Sequence, residues 1–239
     1  MYHNTTLNIK ENAIFIADSH YNKNKTELVD ILTQILENKI STTQLFLMGD
    51  IFDFLSSESS YFINLNQNII DLINSISQNI EVFYFEGNHD FNLQTLFPNV
   101  LIFDRRSQPV LFTINNKKAY LSHGDIYTSF IYNLYSKIIR NSCVLRFLNF
   151  IDINNFISKF IEESLSQKDI CKELLNFDLK AKNRILLYPE CDIIIEGHFH
   201  QNYQLSYNNK LYINLPSAYC SKSYAKINTK TTTIDTIRI

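Results

Sequence analysis

Five short clusters of polar residues in this 239-residue chain each follow an apolar run. Asp18-Ser19-His20 follows Ala13 to Ala17, Gly49-Asp50 follows Leu45 to Met48, and Gly87-Asn88-His89-Asp90 follows Val82 to Phe85. His123-Gly124-Asp125 and Gly197-His198-Phe199-His200 close two later runs in the same way. Together Asp18, His20, Asp50, Asn88, His123, His198 and His200 offer imidazole nitrogens, carboxylates and an amide oxygen, with no thiolate. That donor chemistry suits manganese, with iron or zinc as alternatives, better than calcium or magnesium. The set is too large for one tetrahedral ion and suits two divalent cations sharing a bridging carboxylate, roughly 3.5–4 Å apart. Asp50 is the best bridge, because a carboxylate has two oxygens. Such a pair would ionise a shared water near neutral pH and neutralise charge on a phosphoryl group. His89 adds a further imidazole beside the set, and His3 is the one histidine left over.

Taken singly, each cluster has a plainer reading. Asp18-x-His20 suits a surface turn, Asp50 a helix N-cap, and Gly-Asn-His-Asp a tight turn, with Gly87 permitting a sharp exit from its strand. Five of them in order, all at the ends of apolar runs, argue for convergence on one place.

The elements needed for that convergence can be read from periodicity. Ala13 to Ala17, Leu45 to Met48 and Val82 to Phe85 suit strands buried on both faces. Between them lie helical patterns, from about Lys25 to Lys39 and from about Tyr61 to Ser77. In the second, Phe62, Leu65, Ile69, Leu72, Ile73 and Ile76 should face inward. This β-α-β-α-β order predicts parallel strands with helical crossovers, and open α/β sheets bind ligands at the carboxyl ends of their strands. Two hairpins follow, over 110–122 and 203–215, with a buried strand over 192–195 between them and strands over 224–227 and 232–237 to finish. Residues 126–187 have helical spacing and interleave Phe130, Leu134 and Ile138 with Lys137, Arg140 and Arg146. They read as a helical insertion over the site within a single domain spanning 1–239.

At 45% hydrophobic and 19% charged residues the composition is that of a globular protein. A formal net charge of -2 excludes the whole molecule as an electrostatic nucleic-acid binder, and no nucleic-acid partner is expected. The cysteines, Cys143, Cys171, Cys191 and Cys220, form no Cys-x-x-Cys, and reduced thiols in a cytoplasmic protein are expected. No signal peptide is expected, because the first apolar run is short and stops at Asp18.

Asp18-x-His20, Gly49-Asp50-x-x-Asp53, Gly87-Asn88-His89-Asp90, His123-Gly124-Asp125 and Gly197-His198-x-His200 resemble, in order, the five-block signature of calcineurin-like metallophosphoesterases. The resemblance implies a four-layer α-β-β-α sandwich, of mixed α/β (α+β) class, here with a helical cap insertion. It implies one metal on Asp18, His20, Asp50 and His200, and a second on Asp50, Asn88, His123 and His198. His89 would act near the phosphoryl group as acid or charge stabiliser, Asp90 would orient His89, and Asp53 would support Asp50 or its loop. The length and the insertion are similar to one branch of the family, the UDP-2,3-diacylglucosamine pyrophosphohydrolases. That branch implies hydrolysis of a UDP-linked acylated sugar to UMP and 2,3-diacylglucosamine 1-phosphate, a step toward lipid A. It also implies contact of the insertion with the cytoplasmic face of the inner membrane. Two departures stand out: many of these lipid enzymes carry Arg where His89 stands, and Asn214-Leu215-Pro216-Ser217 lacks a glycine common in the wider family. The competing activity is that of a soluble phosphomonoesterase or phosphodiesterase acting on nucleotides or other small esters. A non-catalytic binding module of the same fold is the third alternative.

Overall fold

The computed structural model describes residues 7–231 and 233–239; His3 lies outside them. In chain order the first half comprises β1 (Leu7–Asn8), β2 (Ile14–Ile16), α1 (Glu27–Leu36), β3 (Gln44–Leu47), β4 (Leu55–Ser56), α2 (Ser60–Leu65), α3 (Gln67–Ile76), β5 (Glu81–Phe85), β6 (Asp90–Phe91), β7 (Leu101–Phe103), β8 (Val110–Ile114) and β9 (Lys117–Ser122). The second half comprises α4 (Phe130–Ile139), α5 (Ser142–Ile151), a short 3-10 turn, α6 (Phe156–Ser166), α7 (Phe177–Leu187), β10 (Ile193–Glu196), β11 (Tyr203–Tyr207), β12 (Lys210–Asn214), β13 (Ser223–Asn228) and β14 (Thr233–Arg238).

Two six-stranded sheets result, ordered β1-β8-β9-β10-β12-β11 and β14-β13-β2-β3-β5-β7. As the crossover pattern predicts, β2, β3 and β5 run parallel, and β7 joins them in the same direction. The alternation of side chains along a strand sets the layers. Ile14, Ile16, Leu45 and Leu47 face α1 and α3. Phe15, Phe46, Phe83 and Phe85 face the other sheet, where they meet Phe112, Ile193 and Ile195. Ile194 points outward to α7. Helix, sheet, sheet and helix therefore stack as the four expected layers. The tryptophan-free core is filled by phenylalanine: Phe46 stacks on Phe15 at 4.5 Å and on Phe83 at 4.7 Å. Fully burying one such ring contributes roughly 1.5–3 kcal/mol, so this cluster holds the sheets face to face.

Three expectations are corrected. The single helix over 61–77 is two helices, α2 and α3, broken at Asn66. The Asn66 side chain donates to the carbonyls of Phe62 (2.8 Å) and Phe54 (3.3 Å) and competes with the helical ladder. The break leaves Leu65 exposed and buries Ile70. Strands β1, β4, β6 and β7 are too short to show a period and were not expected. Finally, α7 is not part of a cap. Phe177, Ala181 and Ile185 pack on the outer face of the second sheet, so the cap proper is α4 to α6.

The cap rests on the core mainly through polar contacts. Asn149 accepts from the Ser60 backbone N–H and hydroxyl, Tyr61 donates to Glu162, and Arg140 donates to the Gly87 carbonyl. Its apolar side chains stay largely unpartnered, with Phe150 85% and Phe130 80% exposed. Among the described residues no helix is long and apolar enough to cross a membrane.

Candidate metal centre

The five polar clusters meet at one end of the sandwich. Asp18 and His20 leave β2, Asp50 leaves β3, and Asn88 and His89 leave β5, all in one sheet. His123 leaves β9, and His198 and His200 leave β10, in the other. Asp18, His20, Asp50, His198 and His200 all have positive φ, between 45° and 65°. A left-handed backbone is strained for a non-glycine residue, at about 1–3 kcal/mol each. Five such positions in one place mark a backbone bent to aim its side chains.

The loops are laced together. The Asp18 N–H donates to the Gly49 carbonyl at 3.1 Å and the His20 N–H to the Asp50 carbonyl at 2.9 Å. The His198 N–H donates to the Asp18 carboxylate at 2.8 Å. Gly87 does not have positive φ; it is needed because a Cβ there would collide with the Asp50 carboxylate and backbone nitrogen. Gly49 combines both demands, with φ of 85° and no room for a Cβ beside the His123 ring.

Two donor groups result, each with its ligand atoms within 4.8 Å of one another. One is Asp18, His20 and His200, and the other is Asp50, His123 and His198. Asn88 joins the second, its Oδ1 lying 3.3 Å from His123 Nε2. Asp50 lies between the groups: its Oδ2 is 3.5 Å from His123 Nε2 and 3.9 Å from His20 Nε2. A third group, His20, Asp50 and His89, brings the His89 ring to the same place. His20 Nε2 is buried without a hydrogen-bond partner, while Nδ1 faces only the Asp53 carboxylate at 3.4 Å. Buried donors and acceptors without partners are rare and need a reason. A cation held by His20 with Asp18, Asp50 and His200 supplies one. The residues present therefore fit two divalent ions, the second on Asp50, Asn88, His123 and His198.

Second contacts set the rings. His123 Nδ1 lies 2.9 Å from the Met48 carbonyl and His200 Nδ1 lies 2.9 Å from the Ile170 carbonyl. A carbonyl on Nδ1 makes that nitrogen the protonated one and leaves Nε2 to coordinate. Burial disfavours charge on Asp50, yet the imidazoles of His123, His89 and His20 outweigh it and hold its carboxyl well below the usual range. Burial likewise opposes charge on His123, but Asp50 wins and pushes it up to about 10. For His198, burial and the charge of His123 act together and bring it down to about 4.

A measurable consequence follows from His123. A raised imidazole pKa stabilises the metal-free fold below the unfolded value of about 6.5, and this stabilisation is lost as pH rises through about 10. Coordination requires the neutral ring. Manganese binding at pH 7 should therefore release about one proton from His123, seen by calorimetry in buffers of different ionisation enthalpy. Metal-induced stabilisation should grow between pH 6.5 and 10. A proton count of zero at pH 7 would contradict the assignment.

Two expected roles are corrected. Asp90 does not orient His89. Its carboxylate accepts from the backbone N–H groups of Asp50 (3.0 Å), Ile51 (2.5 Å) and Gly87 (2.9 Å) and from the Tyr84 hydroxyl (2.7 Å). It is a buried brace between the β3 and β5 loops. His89 instead places Nδ1 2.6 Å from the Asp53 carbonyl. The Asp53 carboxylate serves His20 rather than Asp50, with Oδ1 3.4 Å from His20 Nδ1, and it pairs with Lys25 at 3.1 Å.

Residues outside the five blocks also hold the site. Ser217 donates to the Asp18 carbonyl at 2.7 Å, and Asn214 donates to the Gly197 carbonyl at 2.6 Å. The loop without the family glycine thus still reaches the centre. Arg184 pairs with fully buried Glu196 and donates to the carbonyls of Ile126 and Gly124, bracing the His123 loop. Its only sequence signal is one arginine on the inner face of α7, which nothing in the pattern connects to Glu196. The expectation of reduced cysteines is overturned for one pair. Cys171 and Cys220 form a disulfide with Cα atoms 5.3 Å apart, while Cys143 and Cys191 are free. The partners lie 49 residues apart, and only the fold brings them together. Disulfides persist mainly in oxidising compartments, so the cysteines lend no support to a cytoplasmic location.

Residues 12–202 match the family described as calcineurin-like phosphoesterase. The chain belongs to that family. Among curated relatives, the UDP-2,3-diacylglucosamine hydrolase of Blochmanniella pennsylvanica is 29% identical over 79% of this chain and 78% of its own length. The protein of the same name from Histophilus somni is 24% identical over 78% of this chain and 83% of its own. That from Vibrio atlanticus is 22% identical over 78% and 80%. The two donor groups open at a mouth formed by Asn88, His89, His198 and His200. Those four residues are partly exposed, whereas Asp18, His20, Asp50 and His123 are buried beneath them.

Proposed function

We propose that this phosphoesterase hydrolyses the pyrophosphate bond of UDP-2,3-diacylglucosamine, giving UMP and 2,3-diacylglucosamine 1-phosphate. The shared name of the relatives supports this reading, and one feature of the molecule carries it: unpartnered apolar side chains on a cap that is tied to the donor loops by polar contacts. Phe130, Ile131, Phe147, Phe150, Ile153 and Phe156 all project from the cap at more than 60% exposure. The end of α4 reaches the Gly87 carbonyl through Arg140, next to Asn88. The irregular stretch after α6 reaches His200 through Ile170. An acylated substrate has chains to cover such a face while its pyrophosphate lies at the donors.

The residues divide the work. Two bound divalent ions, with manganese proposed first, would activate a shared water and offset phosphoryl charge. Asp50 and the imidazoles hold them, and Asp90 and Tyr84 keep the Asp50 loop from shifting. His89, its Nδ1–H held by the Asp53 carbonyl, turns Nε2 to the mouth, where the doubly protonated ring donates to a phosphoryl or leaving-group oxygen. The cap supplies apolar contact to acyl chains and to a lipid surface.

The test compares the manganese-loaded protein on UDP-2,3-diacylglucosamine in mixed micelles with p-nitrophenyl phosphate. UMP release should dominate. Phe130→Asp or Leu134→Asp should lower kcat/KM for the acylated substrate about tenfold, since one apolar side chain contributes about 1.5–3 kcal/mol when covered. Turnover of p-nitrophenyl phosphate should stay the same. His89, where many lipid enzymes have Arg, favours the small-ester alternative, and equal loss on both substrates, or no UMP release, would decide for it.

A further inference from the structure

A cavity of about 780 Å³ lies between the cap and the core, lined by Arg105, Arg106, Lys137 and Arg140 together with Glu86 and Asp104. It belongs to neither donor group. It is bounded by the segment after β7 on one side and by the end of α4 and start of α5 on the other.

Its charges do not balance. Arg105 and Arg140 converge on a single carboxylate, the fully buried Asp125, at 2.9 and 3.0 Å. Among the described residues, Arg106 and Lys137 have no acidic group within salt-bridge distance. The Arg140 side chain is only 11% exposed. Its Nη2 serves Gly87 and Asp125, and its face lies over the Phe91 ring at 5.4 Å. Its Nε and Nη1 are buried and have no partner. Asp125 already neutralises Arg140, so the cations left to receive an anion in the cavity are Arg106 and Lys137. Arginine in particular presents a fork that matches phosphate oxygens.

The volume exceeds what one phosphate needs and falls in the range of small-molecule sites, about 300–1,000 Å³. The remaining wall is amide and hydroxyl: Asn92, Asn133, Asn141, Ser136 and Ser142. That lining suits a sugar or a base, not an alkyl chain. We propose that this cavity is a phosphate-monoester site that takes a nucleoside monophosphate. Assigning it to the nucleotide half of the substrate rests on the function proposed above, whereas the binding itself does not.

The experiment titrates metal-loaded protein with UMP, and separately with inorganic phosphate, by calorimetry without turnover. The variant is Arg106→Gln with Lys137→Gln. Both positions are exposed, so the fold should be kept, which a thermal melt checks. UMP should bind the wild type more tightly than phosphate, and the double variant should weaken UMP at least tenfold. UMP competition with the acylated substrate that is lost in the double variant places the nucleotide half in the cavity. UMP that binds without competing makes the cavity a separate nucleotide site and counts against the substrate reading alone. UMP affinity within twofold of wild type in the double variant, or no UMP binding to the wild type, overturns the proposal.

Discussion

Asp50→Asn should leave a folded protein that has lost both cations and at least about 10³-fold in turnover. The expectation follows from three features of Asp50. It lies between the donor groups, 3.5 Å from His123 Nε2 and 3.9 Å from His20 Nε2. It is 2% exposed, so no solvent replaces its charge. Its backbone is left-handed, with φ of 49°. Asparagine tolerates that conformation better than most residues, and its amide oxygen can still accept the His89 N–H, which donates to Asp50 Oδ1 at 2.9 Å. The substitution therefore removes one negative charge and one coordinating oxygen with little else. Even altering a group behind a metal ligand typically loses 10–100-fold in affinity, and a shared ligand should lose more. His123 should also fall from its raised pKa, since Asp50 is what raises it. Elemental analysis after gel filtration and turnover with excess manganese check the result. Full metal content in the folded variant would remove Asp50 from the bridge.

The parts legible in the sequence were those governed by short-range chemistry. Alternating buried runs such as Leu45 to Met48 announced strands with two apolar faces, and the donors at their ends announced a shared site. What could not be read depends on contacts between distant segments. Asp90 looked like a partner for its neighbour His89, but the fold turns its carboxylate toward the Asp50 loop. Asn66 looked like one more polar position on a continuous helix, yet its amide binds its own backbone and breaks the helix. Arg184 and Glu196 are unremarkable apart and form a buried pair only when α7 packs on β10. The Cys171–Cys220 bond is of the same kind, joining the stretch behind the cap to the loop after β12. In each case the residue type was visible and the partner was not.

His89→Ala should lower kcat by about 10²–10⁴-fold, the usual contribution of a placed acid or base, with both cations retained. The ring is close enough to be taken for a ligand: it shares a donor group with His20 and Asp50, and its centroid lies 4.9 Å from that of His20. Two observations argue otherwise. The donor groups around Asp18 and around His123 are each complete without it. Its Nδ1 is also committed to the carbonyl of Asp53, a residue whose side chain already steadies His20. That arrangement fixes the ring at the edge of the centre with Nε2 free, which suits a group that meets the substrate. Alanine keeps the backbone N–H that donates to Asp50 Oδ1, so the Asp50 carboxylate should stay in place. The loss should therefore fall on kcat with metal stoichiometry unchanged, and His89→Gln should recover part of it where a neutral donor suffices. A variant stripped of one cation would make His89 a ligand, and the proton donor would then have to come from another group at the mouth.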